Sequence, residues 1–429
     1  MTILKNRNLA AVVVAELVSL TGSAMTFVAL PWFVLITTGS ATKMGWVLAA
    51  ELLPVGLLGI PSGTLIARLG AKRTMLVADA ARIPLMAAIP ILHWTDNLSF
   101  PLLLAVTFLL GCFMAPYYAS SRLILPEVLG EDEQLVAQGS ALVQAANQVT
   151  QLGGPILGGL LIAWVSAPAV LLIDAATYAF SFMVILLFVR AGKRVTPDES
   201  SRGVLAGLRY VVRDPLLGPM MAAAAFMNFV AQALIAMLPV LVVRRFDEDA
   251  KIVGFLFAAF GAGALIGSLI AMNVVRKVPL LKLAGTAILV MAVPLWLLAI
   301  DLPWPAVVVV LAAFGVCAPL VNAPVMGLLT VRTPEALRPK VMTAVMTISV
   351  VIGPLGFLAV GQSLQYVGMS VLFLAIAAGF TVGAVAFSAA LRRNDTGEQE
   401  ANAVPSPELA AVLPVETRVD GAPAEAAGH

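Results

Sequence analysis

Hydrophobic residues run in blocks of membrane-spanning length separated by short polar breaks, at roughly 9–36, 45–66, 74–93, 101–122, 138–163, 168–189, 216–243, 252–275, 280–300, 304–328, 341–364 and 368–391. A helix crosses the ~30 Å hydrocarbon core with about 20 mostly apolar residues, and the alternation of a barrel strand is absent, so each block predicts a spanning helix. The expected fold is an all-α membrane protein: twelve transmembrane helices in two pseudo-symmetric six-helix bundles, residues 1–190 and 216–391. The intervening stretch 191–215 carries charge, Ser, Pro and Gly and reads as a linker with a short amphipathic helix. The tail 392–429 is rich in Ala, Pro, Glu and Gly and is expected to be disordered and cytoplasmic. No cleavable signal peptide is expected, because the first block is too long and lacks a small-residue cleavage site.

The two sets of six blocks repeat one another. Gly153-Gly154-Pro155-Ile156-Leu157-Gly158-Gly159 is echoed some two hundred residues later by Gly353-Pro354-Leu355-Gly356. Upstream of each lies what reads as a loop with the same opening, Pro126-Glu127 and Pro334-Glu335, and before these come Gly111-Cys112-Phe113-Met114-Ala115-Pro116 and Gly315-Val316-Cys317-Ala318-Pro319. Three matches in one order point to two halves built alike, and Gly/Pro-interrupted spans at matching positions are the sequence sign of a secondary transporter. Ahead of the first Gly-Pro run, Gln144, Asn147, Gln148 and Gln151 place a row of amides up one helical face, which then needs a polar or closely packed neighbour.

Composition agrees. The chain has 429 residues, 60% of them hydrophobic and 12% charged, with a mean hydropathy of +0.98, outside the range of soluble domains. Of the 26 Lys and Arg, twenty-one fall in the segments on the side of the termini and four, Lys43, Arg244, Arg245 and Lys251, on the other. The positive-inside rule then puts both termini in the cytoplasm. A net charge of +2 spread along membrane edges gives no nucleic-acid face. Cys112 and Cys317 sit inside spans, where packing is the expected role. His93 and His429 are the only histidines, and no metal, cofactor or enzymatic cluster is expected. Gly192-Lys193-Arg194 lacks the Ser or Thr of a nucleotide loop, and Gly261-Ala262-Gly263 with Gly267 reads as a helix contact rather than a dinucleotide fingerprint.

Polar residues inside the spans carry the candidate chemistry. Glu16, Ser19, Ser23 and Thr26 form a stripe at steps of three, four and three that should line a cavity. Glu16 lies roughly 10 Å deep at 1.5 Å per residue, where a charge is costly, which makes it a candidate proton carrier. Glu51 and Asp174 are the other proton candidates, each equally open to a packing role. Asp79 and Arg82, read as lying near the inner edge, are one turn apart and can pair. Asn228, Gln232 and Asn322 are amides that either meet a substrate or bond helix to helix.

These residues resemble the major facilitator superfamily, and within it the bacterial multidrug efflux branch that includes macrolide and tetracycline-aminoglycoside exporters. The turn after the second span is similar to that family's Gly-x3-Gly-x3-Asp-Arg-x-Gly-x2-Arg signature, matched at Gly59, Gly63, Arg68, Gly70 and Arg73, with Ala67 standing at the aspartate position. The run through Gln151, Gly154, Pro155, Gly158 and Gly159 resembles the fifth-span motif of drug-proton antiporters. Ile173-Asp174-Ala175-Ala176-Thr177-Tyr178 and Gly207-Leu208-Arg209-Tyr210 are similar to stretches of the same branch. The resemblance implies a monomeric transporter of the bacterial plasma membrane, with spans one, four, seven and ten around a central cavity, and proton-coupled efflux of drug-like molecules. Its alternatives are a specific exporter, for instance of a siderophore, and a nutrient importer of the same fold. The missing aspartate leaves Asp79 as one possible partner for Arg68.

Overall fold

The computed structural model describes residues 6–129, 133–190, 204–274, 277–334 and 337–403. Each predicted span is a helix. The first half holds α1 (Arg7–Thr38), α2 (Ala41–Leu69), α3 (Ala71–Trp94), α4 (Phe100–Leu129), α5 (Glu133–Val165) and α6 (Ala167–Phe188). The linker supplies α7 (Val204–Arg213), and the second half holds α8 (Leu217–Arg245), α9 (Ala250–Val274), α10 (Leu280–Ala292), α11 (Trp304–Arg332), α12 (Arg338–Ser363) and α13 (Met369–Ala403). The ninth span changes to 3-10 geometry over Val293–Ala299, where Pro294 has no N–H to donate.

Local chemistry sets the ends. The Asn6 side chain accepts from the backbone N–H of Asn8 and Leu9, at 3.1 and 3.3 Å, to start α1, and Gly39 at φ 62° stops it. Gly70 alone joins α2 to α3, and its φ of 84° is one that residues with a Cβ rarely adopt. Two expectations shift. Residues 125–129, read as a loop, form the last turns of α4 around Pro126, and α13 continues to Ala403, past the expected bundle end at 391. The rest of the tail and most of the linker lie outside the described residues.

The halves repeat in contacts as in sequence. In the first, α1 packs on α5 and α6, α3 on α4 and α6, and α2 on α4; in the second, α8 packs on α12 and α13, α10 on α11 and α13, and α9 on α11. The repeated glycines are the touching points. Gly111 puts α4 on the Glu51 backbone of α2, and Gly315 puts α11 on the Phe260 backbone of α9. Gly154 and Gly158 seat α5 on Ala24 and Met25 of α1, and Gly353 and Gly356 seat α12 on Gln232 and Phe229 of α8. Gly263 and Gly267 press α9 onto Ala312 and Val316 of α11, which accounts for the fingerprint-like spacing as a helix contact.

Two related crossings join the halves, α2 on α12 and α5 on α9. They close at the end away from the termini. A Cβ at Gly45 would lie 2.6 Å from the Phe357 carbonyl oxygen, and one at Gly159 would lie 2.5 Å from the Gly254 Cα. Thr42 donates to the Gly361 carbonyl at 2.5 Å and accepts from the Gln365 amide at 2.6 Å. One apolar core runs across both halves there, taking in Trp32, Met44, Leu238 and Phe357. Toward the termini the first half has a separate core, built on Leu9, Met75, Tyr117 and Ile185, and nothing meets a Cβ at Gly59 within 4 Å. The bundles therefore diverge toward the terminus-bearing end.

The glycine contacts give a paired expectation. Gly111→Leu forces a side chain into backbone and should cost ~1–3 kcal/mol or more of stability, whereas Gly59→Leu should stay within ~0.5 kcal/mol. Thermal unfolding of the purified variants checks the difference; equal midpoints would refute the packing argument.

Candidate functional site

Between the diverging bundles lies a cavity of about 1300 Å³. Its walls differ in chemistry. The first half contributes Glu16, Ser23 and Thr26 from α1, Glu51 from α2, Tyr117, Tyr118, Ser121 and Arg122 from α4, the α5 amides, and Tyr178 from α6. The second half contributes mostly hydrocarbon: Leu234, Ile235 and Leu238 of α8, Phe257, Phe260, Ala264 and Leu265 of α9, and Leu311, Phe314 and Ala318 of α11, with Ser268 and Asn322 as exceptions. Phe27 and Phe257 meet edge to face across the halves, ring centroids 5.6 Å apart. The lining is wider than expected. Besides spans one, four, seven and ten, it takes in Tyr178 of α6 and also α2, α5 and α9, whose inner faces the divergence of the α2–α12 and α5–α9 crossings exposes.

The α1 stripe divides by partner. Glu16 is 1% exposed and lines the cavity, and neither carboxylate oxygen has a hydrogen-bond partner, the Ser121 hydroxyl donating instead to the Tyr118 carbonyl at 3.2 Å. Ser19 is buried behind the wall with its hydroxyl also unpaired. Ser23 shares a 3.1 Å hydrogen bond with the Tyr178 hydroxyl. Thr26 donates to Asp174 Oδ2 at 2.6 Å, and Thr177 donates to Asp174 Oδ1 at 2.9 Å. Gly22 makes this possible, since any side chain there would strike Thr177 and Asp174. Asp174 is therefore fully buried, held by hydroxyls and off the cavity surface, while Glu51 is half-buried and lines it.

Behind the tyrosines sits a buried ion pair. Asp79 and Arg82 bond to each other, and Ser181 donates to Asp79 Oδ2 at 2.9 Å. The Arg82 guanidinium lies 4.0 Å from the Tyr117 ring centroid and 4.3 Å from that of Tyr178, two rings that line the cavity. Such stacking holds a desolvated cation in place. Arg82 is not at the inner edge: it is the twelfth of the 24 residues of α3, midway along the span. Asp79 is thus taken and does not partner Arg68, which is exposed.

The signature turn is fastened differently. Ala71, the first residue of α3, donates its N–H to Glu127 Oε2 at 2.7 Å, so the end of α4 caps α3 where Gly70 has no side chain to do so. Lys72 donates to the Val189 carbonyl at 2.5 Å and caps α6. Arg73 is exposed, and Gly63 is half-buried. Glu127 was missed as a functional residue, although the repeated Pro-Glu was its signal; Glu335, its counterpart, lies outside the described residues.

The remaining amides part ways. Asn228 donates to the Ser349 carbonyl at 2.6 Å and Gln232 lies against Gly353, so both join α8 to α12 and neither lines this cavity. Asn322 does line it, as do Gln151 and Pro155 of the fifth-span motif, while the glycines of that motif face α1 and α9. Gln144, Asn147, Gln148, Tyr117, Tyr118 and Tyr178 join the site, and no residue-type rule separated them in advance from amides and rings that only pack.

Removing one partner of the buried pair leaves an uncompensated charge. Asp79→Asn and Arg82→Gln should each cost ~3–5 kcal/mol, read as a lowered unfolding midpoint in detergent. A loss no larger than that of an exposed Arg73→Gln would rule the pair out as a structural anchor.

Comparisons with known proteins agree with this architecture. The chain matches the Major Facilitator Superfamily over residues 12–356 and again over 246–419. It is 28% identical over 382 residues to the multidrug efflux pump Tap of Mycobacterium tuberculosis, covering 85% of this chain and 88% of that protein. To the Mycolicibacterium fortuitum pump of the same name it is 27% identical over 392 residues, covering 88% and 94%. In fold it is similar to the nucleoside transporter NupG, with a TM-score of 0.71 at 13% identity over 89% of this chain and 98% of that one. A POT family transporter bound to 5-aminolevulinic acid gives 0.72 at 12% identity over 90% and 97%. The chain is a multi-pass membrane transporter, not an enzyme, and belongs to the Major Facilitator Superfamily.

Proposed function

We propose that the chain is a monomeric secondary active exporter that expels apolar or amphipathic, drug-like molecules in exchange for protons, in a bacterial plasma membrane with both termini cytoplasmic. The observation that carries this reading is a cavity with one apolar wall and, on the other, a carboxylate without a protein donor, Glu16. A large cavity with few directional contacts on its apolar side suits varied hydrophobic bodies better than one small polar nutrient. The efflux pumps among its relatives support export.

The way the halves are joined supports alternating access. Contact is concentrated at Gly45 with Gly361 and at Gly159 with Gly254, so rocking about those crossings exchanges the open end. By the Lys and Arg bias the open end faces the cytoplasm, where cargo enters. Glu16, in the cavity wall with neither oxygen hydrogen-bonded to protein, is the proton-exchanging carboxylate of this scheme, and Glu51, half-buried, is the second carboxylate on that wall. Asp174, held by Thr26 and Thr177, orients α1 on α6 and is a positioning residue in this scheme.

Accumulation of a fluorescent lipophilic cation in cells with and without the protein tests the reading, with a protonophore and with Glu16→Gln as further arms. Extrusion should appear with the protein, vanish with the protonophore, and fall about tenfold or more with Glu16→Gln. Equal accumulation in every arm sinks proton-driven efflux, and protonophore-sensitive uptake makes the chain an importer. If Asp174→Asn abolishes extrusion while Glu16→Gln spares it, the proton site is Asp174 and export stands.

A further inference from the structure

The α5 wall of the cavity carries chemistry that proton exchange at Glu16 does not use. On α5, Gln144, Asn147, Gln148 and Gln151 all line the cavity, and none of their side-chain amides bonds to a protein group among the described residues. At about 100° per residue the four fall within an arc of roughly 100°, and the seven-residue step from the first to the last spans about 10 Å. Amides that hold helices together in this chain behave otherwise: Asn228 reaches across to the Ser349 carbonyl. Four unpaired amides in a row on one face of a spanning helix exceed what packing requires.

An amide offers two donors and an acceptor without net charge. It gains over water only when the ligand supplies matching groups, and buried polar groups left unmatched penalise ligands that lack them. A quaternary ammonium has no such groups. A hydroxyl matches an amide in both senses, and a line of hydroxyls about 10 Å long is the edge of a disaccharide. The facing wall, with Phe260 and Leu265, provides for an apolar body.

We propose that the α5 amides form a specificity-determining rail for uncharged, polyhydroxylated amphiphiles, which lay a glycoside-like edge along α5 and an apolar body against α9 and α11. This rests on the export reading above and names the cargo of the same cavity. Equilibrium binding to the full chain in lipid nanodiscs tests it, with radiolabelled octyl maltoside and octyltrimethylammonium as probes of equal tail length and protein-free nanodiscs as background.

Gln144→Leu with Gln148→Leu should weaken maltoside binding about tenfold or more and move ammonium binding less than about twofold. The amide-preserving pair Gln144→Asn with Gln148→Asn should retain most of the maltoside affinity, which a loss of fold would not allow. Equal weakening of both probes by the leucine pair, or unchanged maltoside binding, overturns the rail. Binding of the ammonium but not the maltoside by the unsubstituted chain overturns it too and leaves the export reading intact, whereas binding of neither probe by folded protein overturns both.

Discussion

Close backbone approach at glycine is the constraint on which this structure depends. Lipid tails are as apolar as leucine, so no hydrophobic force gathers helices inside a bilayer, and packing distance decides which surfaces stay together. Gly111 and Gly315, and Gly154 with Gly158 against Gly353 with Gly356, place equivalent helices on equivalent partners in the two halves. The same device joins the halves to each other at Gly45 with Gly361, at Gly159 with Gly254 and, midway along α2, at Gly56 with Val351, whereas nothing meets a Cβ at Gly59. A cavity open at one end is the geometric consequence of close contact at the other.

Polar side chains inside the spans sort by whether protein satisfies them. Asp79 with Arg82, Asp174 with Thr26 and Thr177, and Asn228 with Ser349 are matched within the helices and fix their relative rotation. Glu16 and the α5 amides line the cavity without such a match. The Arg82 guanidinium stands between these sets, paired on one side and stacked under two tyrosines that form the cavity wall on the other. Movement of that wall would therefore be felt by the buried charge.

The signature turn shows how a missing residue is accommodated. With Ala67 at the acidic position, the turn is held by Glu127 capping α3 and Lys72 capping α6, both reaching backbone groups that helix ends leave open. These bonds lie within the first half and tie α3, α4 and α6 into one body. The second half has its own tie, in which the Tyr210 hydroxyl of α7 donates to the Arg332 carbonyl and Asp214 pairs with Arg332 at 3.4 Å. Each half is thus braced at its terminus-bearing end by bonds of its own.

By itself the sequence determined the twelve spans, their grouping by six, the repeated glycines and the family, because hydrocarbon obliges every backbone group to pair within its own segment and so encodes each span locally. It also placed the α1 stripe and the Asp79–Arg82 pair, both consequences of helical periodicity alone. Only the tertiary structure decided that Asn228 and Gln232 turn to α12 while the α5 amides face the cavity, that Asp174 is held by hydroxyls while Glu16 is not, and that Glu127 rather than Asp79 secures the signature turn. Those outcomes depend on how each helix is rotated and how closely its neighbour approaches, and that is set by residues 56 to 148 positions away in the chain.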